Sequence, residues 1–503
     1  MIKKEIVQDK KTYIILFVYT FLLLFFCSKM SPLYPFNEWS DINLYFNIGK
    51  TIFNGKILYV DAFDHKGPLI FFIYGIGYLI SNTSFFGMYI IEAVMWVLMV
   101  CSGYLIAKLY LDKMYAFIIA LIFPLLVLSH SSEGGSAEEF IIVFESISLL
   151  LFLIYFKEKD NKTHKPVYMF VQGIMCAATI LIKINLIVFW FFPLLAVFIN
   201  ILKNKEYKNL IQNIIAYIGG LLALILPVLI YFIWNNALSD TWKTYIVLNG
   251  NYAKLEDISQ ITENLVVRFY QRLRFETIEY LIILTGVFLF PIKYIKNIPG
   301  KISIMLSFIA LHIVIFMSPN YVFYYSIPYY IFSLLGCITI FSVLRKYLEL
   351  EAKWYFYILF SVFALMIGIK EKNFFSTSKS VLLREQEPDD LVFRFSNIIT
   401  KEENPTLLNL SLDLGNGVFT KANIMPNVKY FISPNLPHTI YPEMRDEQTR
   451  YIENKQVQFI ILSEFSFNFD YFYNLPDLNK NYEIIDRYIE HGTKTYYLYK
   501  RKN

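Results

Sequence analysis

Apolar runs of about 20 residues recur along most of this chain, and that is the length a helix needs to cross the hydrocarbon of a bilayer. The first 370 residues therefore have few other ways to fold. Of 503 residues, 56% are hydrophobic, 18% aromatic and only 17% charged. Soluble domains carry more charge than this. The pattern predicts an α-helical polytopic membrane protein with about eleven spans. They fall near 12–30, 85–107, 114–131, 139–156, 166–182, 186–202, 209–234, 277–293, 302–317, 326–344 and 354–370. A net charge of +5 is modest, and the basic residues read as topology signals rather than a nucleic-acid footprint. Cys27, Cys101, Cys176 and Cys337 all lie within apolar runs, as small hydrophobes and not as a disulfide or metal framework. The N-terminus, MIKKEIVQDKK, is basic and leads into a long apolar run. No small-residue cleavage site follows, so it reads as a retained first helix.

Short basic segments set the orientation. They carry Lys108 and Lys113; Lys157, Lys159, Lys162 and Lys165; Lys203, Lys205 and Lys208; Lys293, Lys296 and Lys301; and Arg345, Lys346 and Lys353. The positive-inside rule assigns them, with the N-terminus, to the cytoplasm. The run Pro68–Ser81 is short for a span, and if it crossed, these loops would be placed outside. It is therefore expected as a juxtamembrane or re-entrant helix on the outer face. The loop after 131 and everything after 371 then also face outward. Two domains follow: a membrane domain, 1–371, and a small extracytoplasmic α/β domain, 372–503. Strands are expected at Thr406–Leu412, Val457–Ser463 and Thr495–Arg501, with a helix over Tyr441–Asn454.

The ionisable residues at the outer edge carry the chemistry. Asn37 to Pro68 holds Asp41, Asp61, Asp64, His65 and Lys66 beside apolar segments, where desolvating a charge is costly. Apolar residues at 42, 45, 46, 52 and 53 predict a helix lying on the membrane with its polar side toward an aqueous cleft. Ser40 is placed to cap it and Asp41 in its first turn; a catalytic carboxylate and a helix-dipole role both fit that position. In FDHKGPL, Lys66 or His65 could hold an anionic phosphate with Asp64 orienting them, or the run could be a solvated turn. The loop SHSSEGGSAEEF places Glu133, Glu138 and Glu139 around a flexible glycine pair. Ser136 and Glu139 match a capping box, which explains Glu139 without function but explains Glu133 and Glu138 less well. Two outer acidic loops could converge to give a general base and a sugar-orienting carboxylate. Lys183 stands at the outer end of a helix as a snorkelling residue or as a counter-charge for a lipid phosphate. Arg268 and Arg272, four apart, share a helix face suited to bidentate phosphate contacts or to lipid headgroups. The aromatic loop Ser318–Tyr330 reads as an interfacial belt or a surface on which sugars stack. Glu92 and Glu145, inside apolar helices, read as interhelical hydrogen-bonding groups.

These residues resemble the GT-C superfamily of membrane glycosyltransferases, in the branch of protein O-mannosyltransferases and aminoarabinose transferases. That branch has an acidic residue early in its first outer loop, and Asp41 in NEWSDINLYFNIGKTIFNGKILY matches it. Gly55, Tyr59 and Asp61 match a following glycine, tyrosine and acidic residue, with Ile57-Leu58 where the family has a proline. Asp64-His65-Lys66-Gly67-Pro68-Leu69 is similar to an Asp-x-His-Pro-Pro-Leu run, with His65 directly after Asp64. Glu138-Glu139 resembles the second acidic loop, and Lys183 a basic residue near the lipid phosphate. The motifs span roughly Ser31 to Phe192. The resemblance implies transfer of a sugar, with inversion, from a polyprenyl-phosphate carrier to a cell-envelope polymer, lipid or protein at the outer leaflet. It implies Asp41 as general base and Asp61, Asp64, His65, Lys66, Glu138, Glu139, Lys183, Arg268 and Arg272 as substrate-binding residues. No cofactor is expected. A divalent cation could bind the acidic loops, yet the branch generally works without one.

Two other classes share the hydrophobic shell. A lipid-linked glycan flippase or transporter would carry its ionisable groups near the midplane, and here they gather in outer loops. A polymer ligase using the same lipid-linked substrates would look alike in topology.

Overall fold

The computed structural model describes residues 9–502 apart from 160, 253–257, 319–320, 349, 351–352, 412–413, 434 and 491. The basic residues 1–8 and Leu412, the end of the first expected strand run, lie outside the described residues. Among the described residues, nine helices are long and apolar enough to cross a membrane. They are Lys10–Cys27, Phe86–Lys108, Ala137–Phe156, Ile184–Lys203, Tyr207–Trp234, Thr277–Tyr294, Ile298–Phe316, Phe323–Leu344 and Trp354–Glu371. Lys113–Leu128 and Pro166–Ile180 complete the eleven expected segments and are shorter, and Pro68–Ile80 is a short helix as its length required. Pro68 and Pro166 open their helices, where no amide hydrogen bond is lost. Pro124, Pro193, Pro227 and Pro291 sit inside apolar helices, where neighbouring groups in a membrane protein re-satisfy the freed carbonyls.

The chain forms two compact units that interleave along the sequence. The first comprises Met1–Ser28, Ile90–Val228 and Leu255–Ser376 and holds the bulk of the apolar helices. Its most enclosed helix is Ala137–Phe156, with 89% of its apolar window buried. Tyr207–Trp234 is only 11% buried, and so offers almost its whole apolar surface outward. Such a surface is stable only against lipid or another protein.

The second unit comprises Lys29–Tyr89, Leu229–Lys254 and Thr377–Asn503, so the segment after the first long helix folds with the C-terminal region. Its helix Ser40–Phe53 lies against Pro68–Ile80 at close range. A Cβ on Gly49 would stand 2.8 Å from the Phe71 carbonyl, so only glycine fits that crossing. The C-terminal region carries helices Leu391–Ile399, Gly415–Lys421 and Pro442–Glu453. Its sheet contains β1 (Leu407–Asn409), β2 (Phe459–Ser463), β3 (Tyr482–Glu490) and β4 (Lys494–Arg501), in the order β1-β2-β4-β3. β1 pairs parallel to β2, with Leu408 opposite Ile460, and β3 and β4 form an antiparallel hairpin with an irregularity at Ile484/Asp486. Leu408, Ile460, Ile461 and Leu498 are fully buried and form the core of this small α/β domain. The expected α/β domain and the helix before β2 are present; β3 is an addition to the expected strands.

Candidate functional site

In the second unit Asp41 occupies the first turn of Ser40–Phe53, where the helix dipole favours a carboxylate. It is half-buried and accepts a hydrogen bond from Tyr45 Oη at 3.3 Å. Ser40 is the first helical residue and not the cap; its Oγ accepts from Asn416 Nδ2 at 2.8 Å. The polar side of the helix does not face water as the spacing predicted. Asn43, Asn47, Lys50 and Thr51 are all buried. Asn47 Nδ2 donates to Thr420 Oγ1 at 2.9 Å, and Lys50 Nζ to Asn423 Oδ1 at 2.7 Å and the Ile424 carbonyl at 3.2 Å. Burial among these neutral acceptors lowers the Lys50 ammonium to about 8. The amphipathic pattern was real, but the surface it meets comes from 373 to 376 residues away and no local signal announces it.

The loop that follows is built as a series of fixed turns. Asp61 Oδ2 accepts from the Ile57 amide at 2.7 Å, closing one of them. Tyr59 takes a left-handed φ of 67°, and its hydroxyl donates to the Lys66 carbonyl at 2.6 Å. Asp64, His65 and Lys66 do come together. His65 Nδ1 lies 3.3 Å from Asp64 Oδ1, and the Lys66 amide donates to Asp64 Oδ2 at 3.4 Å. Burial pushes the Asp64 carboxyl up, but His65 and Lys66 outweigh that and hold it below the usual carboxylate range. Asn249 Nδ2 donates to the His65 carbonyl at 2.6 Å. Phe63 stacks on Tyr441, with centroids 5.0 Å apart and planes within 3°. Asp64 thus stands beside the His65 ring and bonds the backbone amide of Lys66.

The first unit brings Glu138 and Lys183 together. Lys183 Nζ is 2.6 Å from Glu138 Oε1, and the carboxylate is buried. The same ammonium lies 3.6 Å from the centroid of the Tyr325 ring. Glu139 forms the expected capping box with Ser136 and also accepts from Ser131 Oγ at 2.8 Å. The glycine pair before it is a fixed turn and not a flexible one. Gly134 and Gly135 take φ of +96° and +80°, and a Cβ on Gly134 would strike Ser28 and Glu92. Glu92 braces this turn, accepting from Ser28 Oγ at 2.8 Å and the Gly135 amide at 3.2 Å. Lys372 donates to the Ser131 carbonyl, and burial holds its amine below the usual lysine range despite Glu139 and Glu133 nearby.

Arg268 and Arg272 both lie on Tyr321. The Arg268 guanidinium sits 4.6 Å from its ring centroid, and Arg272 donates to its hydroxyl. The Tyr321 and Tyr325 rings meet edge to face at 6.5 Å, so the aromatic loop links Lys183 to the arginines. Arg272 belongs to a buried network that the sequence did not reveal. It bonds Glu276. Tyr330 Oη lies 2.8 Å from His130 Nε2 and donates to Glu276 Oε2 at 3.1 Å, and His130 Nε2 is 3.1 Å from Glu276 Oε2. Burial pushes His130 down more than Glu276 lifts it. Burial pushes Glu276 up, but His130 and Arg272 outweigh that and hold its carboxyl below the usual range. Ligand atoms of His130, Glu276 and Glu279 lie within 4.8 Å of one another, close enough for one cation, but the Arg272 guanidinium already supplies the positive charge there. Only Arg272 stood out in the sequence; Glu276 is four residues on, but His130 and Tyr330 are 142 and 58 residues from Arg272 and meet it through the fold alone.

The family model described as dolichyl-phosphate-mannose-protein mannosyltransferase matches residues 65–244. That segment takes in His65, Lys66, Glu138, Glu139 and Lys183 and begins after Asp41. Comparison with curated proteins gives no match. Among solved structures, ArnT from Cupriavidus metallidurans bound to undecaprenyl phosphate is 12% identical. The alignment covers 98% of this chain and 98% of that one, with a TM-score of 0.60. The apo form of ArnT aligns over 96% of each chain, at 12% identity and a TM-score of 0.57. The Archaeoglobus fulgidus oligosaccharyltransferase, tethered with an acceptor peptide containing the NVT sequon, is 13% identical. There 99% of this chain and 75% of that one align, with a TM-score of 0.50. The chain has the ArnT fold along its whole length and is a multi-pass membrane protein. Of the resemblance read from Ser31 to Phe192, the family model matches the part from His65 onward, and the solved structures match the fold.

Proposed function

We propose that this protein moves a sugar from a polyprenyl-phosphate carrier to a cell-envelope acceptor on the outer face of the membrane. The observation that carries this reading is the mannosyltransferase match over 65–244, on a chain whose fold runs the length of ArnT. In this reading the acceptor hydroxyl oxygen bonds to the anomeric carbon as the carbon–oxygen bond to the phosphate breaks. The phosphate leaves with the bonding pair, the configuration inverts, and Asp41 takes the acceptor proton. Lys183 and the arginines neutralise the departing phosphate, a contribution of several kcal/mol in a site sheltered from water. Lys183 is a suitable cation because its carboxylate partner, Glu138, holds it in place. Asp64, His65 and Lys66 contact the phosphate or sugar of the donor, and no metal or other cofactor takes part. The N-terminus is cytoplasmic and the C-terminal domain extracytoplasmic, which puts Asp41 on the side where cell-envelope acceptors lie.

The test is to incubate the purified protein with a panel of polyprenyl-phosphate sugars and measure free polyprenyl phosphate. Release with at least one donor is expected, unchanged by a chelator. A protein that carries the intact donor across vesicles without cleaving it is a flippase, and the proposal then fails.

A further inference from the structure

We propose that the C-terminal domain is part of the catalytic apparatus: it sets the position of Asp41 through a polar ladder on helix Ser40–Phe53, with Thr420, Asn416 and Asn423 as positioning residues. This rests on Asp41 being the base. Three rungs join the two helical segments in matching order. Asn416 Nδ2 donates to Ser40 Oγ at 2.8 Å, Asn47 Nδ2 to Thr420 Oγ1 at 2.9 Å, and Lys50 Nζ to Asn423 Oδ1 at 2.7 Å. The first rung lies next to Asp41 and continues into the sheet. Asn409 of β1 donates to Asn416 Oδ1 at 2.7 Å, and Asn409 in turn accepts from Ser411 Oγ at 2.7 Å. Asn47, Lys50, Asn409, Asn416 and Thr420 are each at most 5% exposed.

A buried interface made of neutral amides, a hydroxyl and a lysine is a poor choice for adhesion. Each group surrenders water for one partner, and the net gain per hydrogen bond is only about 1 kcal/mol. Apolar side chains would hold two helices together at least as well. Directional bonds instead fix register and rotation, and a helix rotated by one residue would carry Asp41 about 100° around its axis. The loop after the helix is held by the same domain through Phe63, stacked on Tyr441 and 4.9 Å from Tyr430. Both ends of the first outer loop therefore take their geometry from residues beyond 400.

The test uses the full-length protein, the donor found active in the panel, and undecaprenyl phosphate as a binding probe. Thr420→Val keeps the shape and removes the acceptor. It should lower kcat about tenfold, the scale of a small misplacement of a reacting group, with undecaprenyl phosphate affinity within twofold of wild type. Thr420→Ser should restore kcat. Asn423 has a left-handed φ of 53°, so Asn423→Gly removes its acceptor without backbone strain and carries the test if Thr420→Val does not fold. Wild-type kcat in both variants, with Asp41→Asn inactive, overturns the proposal alone. A parallel loss of lipid affinity also overturns it, because that marks general damage. Full activity in Asp41→Asn removes the base assignment first.

Discussion

Two lysines with opposite surroundings define the residue scale. Lys183 is paired with a buried carboxylate and covered by a tyrosine ring, so its charge is compensated. Glu138→Gln leaves that ammonium partly buried with its carboxylate gone. We expect a loss of about 3 kcal/mol of stability, the usual result of breaking such a pair, read as a lower melting temperature, together with at least tenfold slower transfer. Lys50 has only neutral partners and a folded-state value lowered from 10.5 to about 8. Between those values the unfolded chain still holds the proton and the native chain has released it. Stability therefore rises with pH through that window and falls back as pH drops to about 8. Thermal melts of wild type and Lys50→Met from pH 7.5 to about 10 check this: the wild type should gain relative to the variant. A constant difference between them would show that Lys50 does not titrate there.

At the scale of elements, what the sequence could reveal depended on where the partner surface lies. Apolar runs of membrane length marked the spans because lipid, their partner, is the same everywhere. The Ser136–Glu139 capping box was legible because both halves lie within four residues. β3 was hidden because four of its nine residues, Glu483, Asp486, Arg487 and Glu490, are charged, and this blurs the β signal. The polar face of Ser40–Phe53 was legible, but its burial was not, because Thr420 and Asn423 approach from the far end of the chain. Of the His130–Arg272–Glu276–Tyr330 network only the Arg272–Glu276 pair, four residues apart, has a local signature; His130 and Tyr330 have none. Gly49 supplies a prediction at this scale. Gly49→Ala would push a methyl group against the Phe71 carbonyl and the Gly75 amide, so a loss of about 2 kcal/mol from overpacking is expected. A variant that melts at the wild-type temperature would show that the helices separate easily.

For the whole molecule, the orientation in the membrane is a prediction from the basic loops. Lys205 and Lys480 are exposed positions on which to test it. In intact cells, a cysteine introduced at Lys480 should react with an impermeant maleimide, and one at Lys205 should react only after the membrane is opened. The reverse pattern would place Asp41 on the cytoplasmic side and remove any access to cell-envelope acceptors. The central claim is cleavage of a polyprenyl-phosphate sugar with Asp41 as the base. It is tested most directly by comparing release of free polyprenyl phosphate by purified wild type and by Asp41→Asn, with both shown to be folded and to bind undecaprenyl phosphate. The wild type should release free polyprenyl phosphate and the variant at least a hundredfold less, about the lower limit of what general-base catalysis contributes. Equal release by both proteins, or none by the wild type with any donor, would contradict that claim.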